Sequence, residues 1–186
     1  MHFLFMRHAE TEANAKGVCA GPHNLTPLTE TGRIQAVQST RILNNYPEKI
    51  DSICCSSTLR AIDTAKIICT QLSSPLKIKC FDGLCERDYG AWEEMSFDDL
   101  HSRIQNGEIG PNGETRHDFH SRITIALTEL DAIFKDQMPL IISHGGVWQG
   151  IYDICHTEAP WLNNADIYEV KLDLTEKTID QQLLTL

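Results

Sequence analysis

Five side chains in this 186-residue chain are suited to holding and breaking a phosphate ester. Arg7 and Arg60 carry planar, permanently charged forks whose N–H groups match phosphoryl oxygens. His8 and His144 carry imidazoles that can be neutral or charged near pH 7. Glu86 is an isolated carboxylate in a stretch that also holds Arg87 and Asp88. Together they would suit an anion, and a phosphate monoester best. A guanidinium and a phosphate oxygen about 4 Å apart attract by about 4 kcal/mol per unit charge at an effective dielectric of 20. Such a site needs no metal, because the arginines do what Mg²⁺ does elsewhere. The expectation is therefore no metal and no cofactor.

These residues must be brought together by the elements before them. Each follows a short apolar run: Phe3–Met6 before Arg7-His8, Ile50–Cys55 before Ser56-Ser57 and Arg60, Leu76–Phe81 before Glu86, Leu140–Ser143 before His144. Helical patterns lie between the runs, at Glu30–Asn44 with Thr29 as N-cap, Thr58–Ser73 and Thr115–Phe134. Residues 82–114 read as irregular, with a short helix at Phe97–Gln105, and another helix opens at His144-Gly145-Gly146. Asp166–Asp173 and Thr178–Leu184 alternate around a charged turn and read as a hairpin. Strands separated by helices predict an α/β fold, a three-layer α/β/α sandwich whose mostly parallel sheet carries an antiparallel edge strand or C-terminal hairpin. Ligands of such sheets gather at the carboxyl ends of the strands, where the five side chains fall.

Composition narrows the function. Sixteen basic against 26 acidic residues give a net charge of −10, so affinity for nucleic acid or an anionic membrane is not expected. No stretch approaches the roughly 20 apolar residues of a membrane span, and the first apolar run meets Arg7 too soon for a secretory leader. The seven cysteines form no C-x-x-C pair and read as reduced thiols in a cytoplasmic protein. With no linker or repeat, residues 1–186 read as one domain, monomer or homodimer. From the mass, the folded surface should be about 9,000 Å². His101, His117 and His120 read as solvent-facing rather than metal-binding.

The motifs also carry a resemblance. Arg7-His8-Ala9-Glu10-Thr11 followed by Asn14 resembles the R-H-x-x-T-x-x-N signature of the histidine phosphatase superfamily, the phosphoglycerate mutase-like proteins. Pro27-Leu28-Thr29-x-x-Gly32 with Gln35-Ala36, Ser56-Ser57-x-x-Arg60-Ala61-x-x-Thr64-Ala65, Leu84-Cys85-Glu86-x-x-x-Gly90-x-Trp92-Glu93 and Ser143-His144-Gly145-Gly146 match its further segments in order. The resemblance implies His8 as the nucleophile of a phosphohistidine mechanism, with Arg7, Arg60 and His144 on the phosphoryl oxygens. It implies Glu86 as the acid for the leaving oxygen, and Asn14 and Gly145 among the substrate-binding residues. The sequence departs from the family at Ala9 and Glu94, each where glycine is common, and in a longer Gly21–Thr26 loop. The short interval from Glu86 to His144 favours hydrolysis of a small phosphorylated metabolite over the mutase reaction, whose enzymes carry a longer insert there. A phosphoglycerate mutase-type phosphotransferase and a non-catalytic phosphate-ligand binder are the alternatives.

Overall fold

The computed structural model describes residues 1–48, 50–74 and 76–185. Among these, six strands form one sheet: β1 (His2–Arg7), β2 (Ser52–Ser56), β3 (Ile78–Phe81), β4 (Pro139–Ser143), β5 (Ile167–Asp173) and β6 (Thr178–Leu183). The helices are α1 (Glu12–Ala15), α2 (Glu30–Asn45), α3 (Leu59–Gln71), α4 (Phe97–Gln105), α5 (Arg116–Ile133) and α6 (Gly145–Ile154). The sheet order is β3-β2-β4-β1-β5-β6. The first four are parallel, and the β5–β6 hairpin adds antiparallel to β1.

Side-chain alternation along the strands explains the layering. Leu4, Met6, Ile53, Cys55, Leu140 and Ile142 enter one core with α2 and α3. Phe3, Phe5, Cys54 and Ile141 point the other way, into a core with α5 and α6. A strand covered on both faces must be apolar at successive positions, which is why β1, β2 and β4 read as continuous runs. Each buried Phe, Ile or Leu contributes roughly 1.5–3 kcal/mol. The accessible surface is 9338 Å², near the value expected from mass.

Helix starts are fixed locally. Thr29, Ser96 and Thr115 accept the N–H groups of Gly32, Asp99 and Asp118 at 2.9, 3.2 and 3.1 Å. Most boundaries shift by a residue or two, and two strand starts shift furthest: β2 opens at Ser52 rather than Ile50, and β3 at Ile78 rather than Leu76. Pairing sets both, since the ladders begin at Ser52↔Pro139 and Ile53↔Ile78. The short α1 was not anticipated; a capping box between Thr11 and Asn14 opens it. His101 and His117 are exposed as expected, whereas His120 is half-buried, with Nε2 3.3 Å from Asp153.

Candidate active site

Strand register places the two histidines side by side. Arg7 pairs with Ser143 across the parallel β1–β4 ladder, so the next residue of each strand, His8 and His144, leaves the sheet at one point. The His8 N–H donates to Ser143 O at 2.8 Å, and the rings meet edge to face with centroids 5.1 Å apart. His8 Nδ1 lies 2.8 Å from Ala9 O. A carbonyl only accepts, so Nδ1 carries the hydrogen and Nε2 keeps its lone pair. Burial pushes the His8 pKa well below its ordinary 6.5, and Arg60 and Arg7 push it further, so the ring is neutral at pH 7. His144 is lowered too, by burial and then by Arg60. Its Nε2 is 2.8 Å from Ser56 Oγ, at the end of the neighbouring β2.

Arg60 comes from the first turn of α3, just past the end of β2, and is 1% exposed. Its guanidinium donates to Ala20 O and Gly21 O at 3.0 and 3.2 Å. Arg7 donates to Leu162 O at 3.0 Å and passes 3.7 Å from where a Cβ on Gly145 would stand. Burial lowers the pKa of both arginines, with Glu86 opposing the shift from nearby. Among the described residues neither arginine makes an ion pair with a carboxylate. Arg7 Nε and His144 Nδ1 are moreover buried without a hydrogen-bond partner. Two guanidiniums held by carbonyl dipoles, with polar atoms unpaired beside them, have the charge and donors that a tetrahedral oxyanion would require.

Glu86 reaches this site through a loop closed onto α6. Its carboxylate accepts the Arg87 N–H at 2.8 Å and the Gly146 N–H at 3.0 Å, the latter in the first turn of α6, where a helix favours negative charge. Gly146 leaves the space: a Cβ there would fall 2.0 Å from Glu86 Oε1. Arg122 on α5 holds the loop from behind. It donates to both Glu114 carboxylate oxygens at 2.9 and 2.8 Å, and to the carbonyls of Gly83, Cys85 and Glu86 at 3.0, 3.0 and 3.3 Å.

All five chemistry-bearing positions therefore meet at the carboxyl ends of the parallel strands. Gly145 opens α6 beside Arg7. Asn14 stands differently: its Oδ1 accepts from Thr11 N–H, Thr11 Oγ1 and Asn164 Nδ2 at 3.1, 2.9 and 3.2 Å. Asn164 Nδ2 also donates to His8 O at 3.0 Å, so Asn14 braces the loop carrying His8. Sequence reasoning missed Arg122, Asn164, Ser56 as a partner of His144, and Tyr89. Burial, and next Glu86, push the Tyr89 hydroxyl well above its ordinary value, so it stays protonated. A cleft of about 500 Å³ adjoins Glu86, lined by Pro22, Ser57, Asp82, Asp88, Asn112 and Glu114 among others.

An α/β fold with this site defines a class. The sequence profile of the histidine phosphatase superfamily (branch 1) matches residues 3–181, and the chain belongs to that superfamily. An adenosylcobalamin/alpha-ribazole phosphatase of Salmonella typhimurium (strain LT2) is 34% identical over 158 residues, covering 79% of this chain and 75% of that protein. A 2,3-bisphosphoglycerate-dependent phosphoglycerate mutase of Bartonella bacilliformis is 29% identical over 155 residues, 76% of this chain and 75% of that protein. Among solved structures, the alpha-ribazole phosphatase from Shigella flexneri superposes with a TM-score of 0.80 at 26% identity, covering 99% of this chain and 96% of that one.

Proposed function

We propose that the chain hydrolyses phosphomonoesters by way of a phosphohistidine at His8. One observation carries this reading: a neutral imidazole, its Nδ1 tied to Ala9 O and its Nε2 without a hydrogen bond among the described residues, sits beside two guanidiniums that make no ion pair with a carboxylate among those residues. The Nε2 lone pair attacks phosphorus, the P–N bond forms and the ester P–O bond breaks. Arg7, Arg60 and His144 hold the phosphoryl oxygens as negative charge redistributes. Glu86, in its protonated form, gives its proton to the departing alkoxide. As carboxylate it then takes a proton from water, whose oxygen bonds to phosphorus as the P–N bond breaks, releasing inorganic phosphate and neutral His8. Gly145 and Asn14 support this arrangement by spacing and by bracing.

The substrate is read as a small phosphorylated metabolite, and the name shared by several relatives makes the phosphate ester of alpha-ribazole a first compound to assay. All seven cysteines are free, which fits the reducing cytoplasm. Among the described residues no helix is long and apolar enough to cross a membrane.

The test is rapid acid-free quenching during turnover of an aryl phosphate, followed by mass mapping. An acid-labile phosphoryl group on His8, absent together with activity in a folded His8→Ala variant and unaffected by EDTA, is the expected result. Turnover surviving in His8→Ala, or lost in EDTA and restored by a divalent cation, refutes the mechanism. The mutase relative supports a second reading, which efficient interconversion of 2- and 3-phosphoglycerate with negligible phosphate release would favour.

A further inference from the structure

The site has two electrostatically unlike halves, and the second specifies the alcohol. We propose that the alcohol released is uncharged and hydroxyl-bearing or else cationic, and that esters whose alcohol carries a carboxylate or second phosphate are rejected. This rests on the hydrolase reading above and concerns which compounds that hydrolase accepts.

The phosphoryl group belongs with Arg7, Arg60 and His8. Glu86 must reach the leaving oxygen, so the alcohol lies beside Glu86, and the 500 Å³ cleft that Glu86 lines has none of Arg7, His8, Arg60 and His144 among its described lining residues. That volume admits a sugar or a nucleoside-sized group. Beyond Glu86 the lining carries three more carboxylates, Asp82, Asp88 and Glu114, against two basic side chains, Arg122 and His23. Arg122 has no donor to spare. Nε and one Nη2 hydrogen go to Glu114, the other Nη2 hydrogen to Glu86 O, and Nη1 faces the carbonyls of Gly83 and Cys85. His23 is 81% exposed and faces Asp88 at 3.7 Å.

Asp82 and Asp88 are thus left as negative acceptors. Asp82 Oδ1 takes the Ser57 hydroxyl and Asp88 Oδ1 takes the Gly90 N–H, neither of which cancels charge. An anion on the alcohol would sit among like charges with no free cation among the described lining residues. Hydroxyl or ammonium groups would instead find acceptors.

The experiment compares kcat/KM for glycerol 3-phosphate and 3-phosphoglycerate, which differ in a CH₂OH against a carboxylate, with phosphocholine as the cationic member and p-nitrophenyl phosphate as reference. The neutral and cationic esters should exceed 3-phosphoglycerate by about tenfold or more at low salt, the preference shrinking as ionic strength rises. Asp82→Asn and Asp88→Asn keep an acceptor oxygen and remove only charge, so each should narrow the preference, and the double variant most. Equal or faster hydrolysis of 3-phosphoglycerate by the unaltered enzyme overturns the proposal, and so does a preference unchanged in the double variant. Failure to hydrolyse even p-nitrophenyl phosphate would refute the hydrolase reading instead. The charge preference is then read from dissociation constants of the same esters, where equal affinities overturn it.

Discussion

Replacing Gly146 by alanine would test whether Glu86 acts as the acid, by moving one carboxylate and leaving the rest of the site in place. A Cβ at position 146 falls 2.0 Å from Oε1 and 2.9 Å from Cδ of Glu86, where ordinary contact begins at 3.4 Å. Relieving that overlap needs a displacement of more than 1 Å, since the helix backbone bearing residue 146 is fixed by α6. The displaced carboxylate also loses the Gly146 N–H, now at 3.0 Å. A misplacement of about 1 Å in a reacting group can cost about 10²-fold in rate. That loss should appear with alkyl phosphates, whose alkoxides leave only when protonated, and be much smaller with p-nitrophenyl phosphate, whose phenolate leaves unaided. Stability should not fall in parallel, because alanine is the better helix former by up to about 1 kcal/mol. The assay is the ratio of kcat/KM for the two ester types, with Glu86→Gln as comparator and thermal unfolding alongside. An unchanged ratio would refute the assignment of Glu86 as acid.

Two further predictions concern stability. Glu94 holds φ at 66°, a left-handed conformation costing a side-chain-bearing residue roughly 1–2 kcal/mol. Glycine's greater freedom in the unfolded chain offsets part of that, so Glu94→Gly should gain about 0.5–1 kcal/mol, a rise of about 1–4 °C in Tm, and an unchanged or lower Tm contradicts it. Below pH 6.5 the unfolded chain protonates His8 and His144 while the folded site keeps both neutral, so stability should fall as pH drops, by up to about 2.7 kcal/mol per unit. Denaturant unfolding in phosphate-free buffer from pH 7.5 to 5.5 measures this slope, which should shrink in a His8→Asn/His144→Asn variant; equal slopes would count against buried neutral histidines.

The sequence revealed what depends on strand ends. Continuous apolar runs marked β1, β2 and β4, and a polar residue just past each run necessarily emerges at one edge of a parallel sheet. His8, His144 and Arg60 could therefore be placed at the same end of the sheet before any coordinates, whereas the β1–β4 adjacency that sets the two rings side by side is a matter of strand order, which no local pattern shows. What escaped depends on contacts without local pattern. Arg122 reads as one more charged residue on a helix, and its role arises only because the irregular segment after β3 turns its carbonyls toward α5. Asn14 was read as a substrate-binding residue, and what the structure adds is that its oxygen accepts from Thr11 and Asn164. Nothing near position 14 in the sequence indicates residue 164. Glu94 was recognisable as a departure from the family's glycine, but not as a residue in a left-handed conformation.

Charge is unevenly distributed in this protein, and the proposed mechanism gives the unevenness a use. A chain of net charge −10 buries Arg60 almost completely and, among the described residues, bonds it to carbonyl oxygens rather than pairing it with a carboxylate. Carbonyl dipoles recover part of the hydration lost on burial while leaving the formal charge uncancelled. A carboxylate in salt-bridge contact would make the folded protein more comfortable and the receptor weaker, because an incoming phosphoryl group would have to displace it. The same argument explains the neutral histidines. Burial, and then Arg60 and Arg7, hold His8 unprotonated at a cost in stability in acid; on the proposed mechanism this keeps the Nε2 lone pair available, and the arginines supply the charge that the phosphoryl group neutralises on arrival.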